Sequence, residues 1–144
     1  MVVQSDGGTR PVRTIHDLGV LLVEDDDFTR KLIARLLLDI KVRAVFEATD
    51  GVQALDILRR DTAAVDIAIC DLEMPRMGGL DLLHALRTAA GHPLADLPVL
   101  VLTGHSEADT VKRAITYGIS GYLVKPVSKA DLMKRLTFAM QKRR

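Results

Sequence analysis

The sequence predicts an α/β protein: a doubly wound parallel sheet of five strands with five helices divided between its two faces. Three observations predict it. From Leu18 onward, short apolar β-type runs alternate with helical patterns, which is how a series of βα units reads. Three of those runs are apolar almost throughout, as strands covered on both faces must be. The length of 144 residues suits one domain, and a chain of that size buries about 68–70% of its unfolded surface. Right-handed crossovers between parallel strands then put helices on both sides of the sheet.

Residues 1–17 read as a flexible arm, since Gly7-Gly8 and Pro11 interrupt any regular pattern. The first strand is expected over 18–24 and the first helix over 27–38. In that helix Phe28, Leu32 and Leu36 form one row, with Ile33 and Leu37 beside it, a stripe able to pack on a sheet. Arg30, Lys31 and Arg35 make the opposite face. The second strand spans 42–48, and its helix opens at Asp50 with Gln53 as a capping pair. The third strand spans 65–70. Pro75 and Gly78-Gly79 then demand a tight loop before a helix over 79–90. Gly91, Pro93 and Pro98 separate it from the fourth strand, 98–103. The next helix opens at Ser106 with Asp109 and closes at Gly118. The fifth strand spans 121–124, and the last helix opens at Ser128 with Asp131, with Val127 and Leu132 set for a hydrophobic staple. The folded domain is thus expected over 18–141, with 142–144 a basic end.

Hydrophobic residues make up 48% and charged residues 27% of the chain, which excludes disordered and collagen-like architectures. The net charge is +1, so no global field draws the chain to nucleic acid or to a membrane. One Cys excludes an internal disulfide framework and a cysteine zinc cage, the usage of a reducing cytosol. No apolar run approaches the roughly 18 residues of a membrane span, and the first seventeen residues lack the apolar stretch of a secretory signal. A cytoplasmic location is expected. Lys134, Arg135 and Lys142-Arg143-Arg144 read as a solvated helix face with cations near its C-terminus, so nucleic acid is not an expected partner.

Ligands of doubly wound sheets bind at the carboxyl ends of the strands. The first strand ends in Glu24-Asp25-Asp26-Asp27. Asp27 is explained as an N-cap or first-turn acid and Asp26 as a first-turn acid. Glu24 and Asp25, at the tip of a central strand, must point into water or share a cation. The third strand runs into Asp71-Leu72-Glu73, the fourth into Thr103-Gly104 and the fifth into Lys125-Pro126. Two acidic ends, a hydroxyl and an ammonium are what an anionic group with a divalent cation requires. Hard oxygen donors suit Mg²⁺, and Lys and Thr can donate to phosphate oxygens. A carboxylate among them could itself take the phosphoryl group. Cys70, Met74 and Met77 are explained by packing, and His16, His84 and His92 lack metal-ligand spacing.

Four stretches, VLLVEDDDFTRKLI, IAICDLEMPRMGGLDLL, VLVLTGH and GYLVKPV, stand in order and at family-like spacing across 18–141. On them the sequence resembles the receiver domain of two-component response regulators, of the CheY-like single-domain type. The resemblance implies a flavodoxin-like sheet of order 2-1-3-4-5, with Asp71 as phosphoacceptor. It implies Mg²⁺, or Mn²⁺ in its place, held by Glu24, Asp25, Asp71 and the backbone carbonyl of Glu73, with Asp25 the more direct of the acidic pair. Thr103 and Gly104 correspond to the phosphoryl-binding strand end, Lys125 to the ion-pairing lysine, Tyr122 to the aromatic switch, and Pro126 to a residue after a usually cis bond. Glu73 and His105 fall at the variable positions that tune loss of the phosphoryl group. Glu24 stands where Asp is more frequent.

The partners so implied are a sensor histidine kinase or histidine phosphotransfer protein as donor, and a target protein recognised by the fourth helix, fifth strand and fifth helix. A phosphorelay intermediate and a phosphate sink remain alternatives. The arm and tail are too short for an effector domain, which puts the expected output in another protein. A haloacid-dehalogenase-like phosphohydrolase also uses a strand-end aspartate with Mg²⁺. It needs a second Asp two residues on, where this chain has Glu73.

Overall fold

The computed structural model describes residues 11–89, 92–104 and 108–143. Five parallel strands, β1 (Gly19–Val23), β2 (Ala44–Ala48), β3 (Ile67–Asp71), β4 (Val99–Thr103) and β5 (Gly121–Val124), lie in the order β2-β1-β3-β4-β5. Five helices connect and follow them: α1 (Asp27–Ile40), α2 (Gly51–Arg60), α3 (Gly79–Arg87), α4 (Ala108–Ile115) and α5 (Lys129–Arg143). The expected fold class and strand order are those observed.

Alternation along the strands divides the core. Leu21, Val23, Ala68, Cys70, Val99 and Val101 face one side, where Ala54 and Leu58 of α2, Leu82, Leu83 and Leu86 of α3 and Ala114 of α4 cover them. Val20, Leu22, Ile67, Ile69, Leu100, Leu102 and Leu123 face the other, under Ile33, Leu37 and Ile40 of α1 and Leu132, Leu136 and Ala139 of α5. β1, β3 and β4 are buried over their whole length, which explains the apolar runs that precede Glu24, Asp71 and Thr103. The in-register pairs Val23 with Cys70 and Asp71 with Leu102 bring the strand exits level, so the side chains that follow share one edge.

Three expectations change. The buried row of α1 is Arg30, Ile33, Ala34, Leu37 and Ile40, whereas Phe28 is 77% exposed and Leu32 43%. Both rows repeat at helical spacing, but the one with Ile33, Leu37 and Ile40 lies over β1 and carries Arg30 inward with it. Asp26, rather than Asp27, is the N-cap of α1: its carboxylate accepts the Thr29 N–H at 2.8 Å, and Asp27 is the first-turn acid. The expected arm is structured from Pro11 on. Residues Ile15–Asp17 form a 3-10 turn closed by a Thr14–Asp17 capping box, and Val12 and Ile15 pack against the α1 and α5 side of the core. Residues 1–10, with Gly7-Gly8, lie outside the described residues, as do His105, Ser106 and Arg144.

Candidate functional site

The carboxyl ends of β1, β3, β4 and β5 meet at one edge of the sheet. Glu24 and Asp71 are 1% and 4% exposed, Asp25 is exposed, and the three offer carboxylate oxygens that all lie within 4.8 Å of one another. Lys125, from the loop after β5, sits between the two buried acids: its Nζ is 2.8 Å from Glu24 Oε1 and 3.4 Å from Asp71 Oδ2. Glu24 Oε2 accepts the Asp26 N–H at 3.0 Å, whereas Oε1 has no donor besides the ammonium it faces. A buried carboxylate oxygen so placed, among three hard oxygen donors, fits a divalent cation. Glu24, Asp25 and Asp71 would hold it.

The local sequence forces this crowding. Glu24 leaves β1 with its N–H bonded to Ala48 O at 3.0 Å, and Arg30 of α1 reaches back to donate to Glu24 O at 3.0 Å. The same guanidinium pairs with Glu47 of β2 at 3.1 Å and Asp27 at 2.6 Å. Arg30 thus fixes the turn that aims the acidic pair, and sequence reasoning had put it on the solvent face. The signal was the spacing, since Arg30 precedes Ile33 and Leu37 by one and two helical turns. On the other side, a Cβ on Gly79 would stand 2.3 Å from Asp71 O. Only glycine lets α3 start that close to β3.

Asp71 carries the clearest electrostatic signature. Burial pushes its carboxyl up, the nearby Glu24 charge adds to that, and Lys125 opposes it, leaving a value of about 7. For Lys125 burial alone acts downward, but the hydrogen bond to Glu24 and the charges of Asp71 and Glu24 outweigh it, and the net shift is upward. Burial also pushes the Cys70 thiol far up, so it is inert packing beside the site.

Thr103 is buried at the end of β4 and donates from Oγ1 to Gly104 O at 3.0 Å. Tyr122 of β5 is 44% exposed, with the Arg135 guanidinium 5.9 Å from its ring centroid. The Lys125–Pro126 bond is cis. Glu73 is exposed in the loop after Asp71, and its backbone N–H donates to the Asp71 carboxylate. The structure thus brings together Glu24, Asp25, Asp71 and Lys125. It puts Thr103 at the adjoining strand end and turns Tyr122 outward. No helix among the described residues is long and apolar enough to cross a membrane.

Acids, a hydroxyl and a shared lysine at the carboxyl edge of a 2-1-3-4-5 parallel sheet define a flavodoxin-like protein with an acidic strand-end pocket. The model of the response regulator receiver domain matches residues 20–137, and the chain belongs to that family. It is 36% identical over 117 residues to the chemotaxis protein CheY of Pseudomonas aeruginosa, covering 81% of this chain and 91% of that protein. Among solved structures, the response regulator receiver domain protein of Clostridium thermocellum superposes with a TM-score of 0.76 at 28% identity, over 88% of this chain and 96% of that one. The receiver domain of the sensor histidine kinase PA1611 of P. aeruginosa, solved with a magnesium ion coordinated in its active-site cleft, gives 0.76 at 25% identity, over 87% and 98%. The chain is therefore a CheY-like receiver, a phosphoacceptor signalling domain.

Proposed function

We propose that this receiver takes a phosphoryl group on Asp71 from a phosphohistidine of a sensor histidine kinase or histidine phosphotransfer protein in the cytoplasm. The observation that carries it is the buried Asp71 carboxylate, shared with Glu24 through one lysine and raised to about 7. An Asp71 oxygen attacks phosphorus, the P–N bond breaks, and the imidazole leaves with its electron pair and takes up a proton. The product is an acyl phosphate, which water returns to carboxylate and inorganic phosphate. Glu24, Asp25, Asp71 and the Glu73 carbonyl would hold Mg²⁺, which would neutralise the charge gathered there.

Lys125 ion-pairs with a phosphoryl oxygen, and Thr103 turns its hydroxyl from Gly104 O to donate to another. That turn vacates space beside β4 into which Tyr122 can move from its exposed position. Ile115, Tyr122, Val124, Met133 and Phe138 are the exposed large apolar side chains of α4, β5 and α5, and they make this face the proposed target surface. Glu73 and His105 are the proposed tuning positions. The test is labelling by a small-molecule phosphodonor such as acetyl phosphate with Mg²⁺: one equivalent per chain is expected, and none in Asp71→Asn. Full labelling of that variant would move the acceptor elsewhere.

A further inference from the structure

Between β3 and α3, the acceptor loop contains a residue whose conformation its own side chain does nothing to ease. Arg76 has φ +62°, one of two non-glycine residues with positive φ among those described. The left-handed region is unfavourable for a residue with a Cβ, and glycine or asparagine would occupy it more cheaply. Such an outlier persists where surrounding structure imposes it.

The imposing contact is long-range. Arg76 Nε donates to Asp50 Oδ2 at 2.7 Å and its Nη2 bonds the same oxygen, although the two residues are 26 apart in sequence. Asp50 is buried, and its other oxygen caps α2 by accepting the Gln53 N–H at 2.9 Å. One carboxylate therefore ties the helix after β2 to the loop after β3. A second tie runs alongside: the Gly51 N–H donates to Met77 O at 2.9 Å, and a Cβ on Gly51 would stand 2.7 Å from Met77 Cγ. The loop is also closed on itself by Gly79 N–H to Leu72 O at 2.9 Å. The segment so held contains Glu73, which follows the acceptor by two residues.

We infer that the Asp50–Arg76 pair is a clamp that positions the acceptor loop, with Arg76 a positioning residue for the Glu73 carbonyl. This rests on the cation-binding role proposed above, which it deepens. Arg76 is kept in a costly backbone conformation because only a long, forked cation there reaches the Asp50 carboxylate. The pair is half-desolvated, with the guanidinium 60% exposed and the Asp50 carboxylate 3%, so removing Arg76 alone also leaves a buried charge without its cation.

The test is Mg²⁺ titration by calorimetry, with denaturation midpoints, on the full chain and on Arg76→Gly, Asp50→Asn and their combination. Arg76→Gly suits the φ, and Asn still caps a helix, so these variants fold. Supporting residues of metal sites typically carry 10–100-fold of affinity, so Arg76→Gly is expected to weaken Mg²⁺ by about tenfold, and the combination, which leaves no buried charge behind, to keep that loss while its midpoint recovers. Asp50→Asn should weaken binding in the wild-type background and add nothing in Arg76→Gly. An Arg76→Gly dissociation constant within twofold of wild type overturns the clamp, as does a combined variant whose affinity recovers along with its midpoint. A wild-type protein that binds no Mg²⁺ overturns the cation site itself.

Discussion

The two ends of the sheet treat charge in opposite ways. At the amino end the charges complete backbone hydrogen bonds with partners of their own. The Asp66 carboxylate accepts the Gly19 N–H at 2.8 Å, and Arg43 donates to Ala64 O and to Asp17 O. Asp17 in turn accepts the Arg13 and Thr14 N–H groups, each at 2.9 Å. At the carboxyl end Glu24 and Asp71 share one ammonium, and Glu24 Oε1 has no further donor. Both ends sit on the same strands, so the contrast is not a matter of packing. The amino end uses charge to complete backbone hydrogen bonds, while the carboxyl end holds uncompensated negative charge that stabilises only when something cationic arrives.

Adding the missing cation tests this contrast most strongly. Mg²⁺ at about 100 times its dissociation constant should stabilise the chain by about 2.7 kcal/mol, read as a shift of the urea midpoint, and that gain should largely vanish in Asp71→Asn. A midpoint indifferent to millimolar Mg²⁺ would mean the carboxyl end is already compensated. Next come matched substitutions at the two ends. Asp66→Ala strands the Gly19 N–H and should cost about 1–3 kcal/mol without altering Mg²⁺ affinity. Asp71→Asn removes a crowded charge and should raise metal-free stability by about 1 kcal/mol. Two losses of similar size would erase the distinction between the ends.

Much of this was legible in the sequence, and the reason differs by level. Strand identity, strand exits and the acids, hydroxyl and lysine at those exits follow from local runs such as Val99–Thr103 and the residues just after them. What escaped depends on contacts between distant segments. Arg30 looked solvated because helical spacing alone offers two rows on α1, and only the position of β1 decides between them. Arg76 and Asp50 stand 26 residues apart, and nothing in either neighbourhood announces the pair. Residues 11–17 read as an arm because their anchors, the core side chains around Ile15 and the carbonyl of Lys41 bonded to His16, belong to other elements.

The response to pH separates the two ends by sign, and there they should oppose each other. Asp71 is raised from 3.8 to about 7, by burial first and by Glu24 second. Between those values the folded chain holds a proton that the unfolded chain has lost, so this group's contribution falls as pH rises through the window. It is fully present below about 4 and gone above about 7. Asp17 is lowered instead, by the N–H groups of Thr14 and Arg13, so what it contributes is present above 3.8 and lost as pH falls below it. One proton limits the Asp71 slope to about 1.4 kcal/mol per pH unit. Urea midpoints measured in chelator from pH 3 to 8 should therefore decline from about 4 to 7 in the wild type and flatten over that range in Asp71→Asn. Substituting Asp17→Asn should leave the decline intact and alter only the acid limb. Parallel curves for wild type and Asp71→Asn would show that Lys125 already compensates the acidic pair, and that the two ends of the sheet are electrostatically alike.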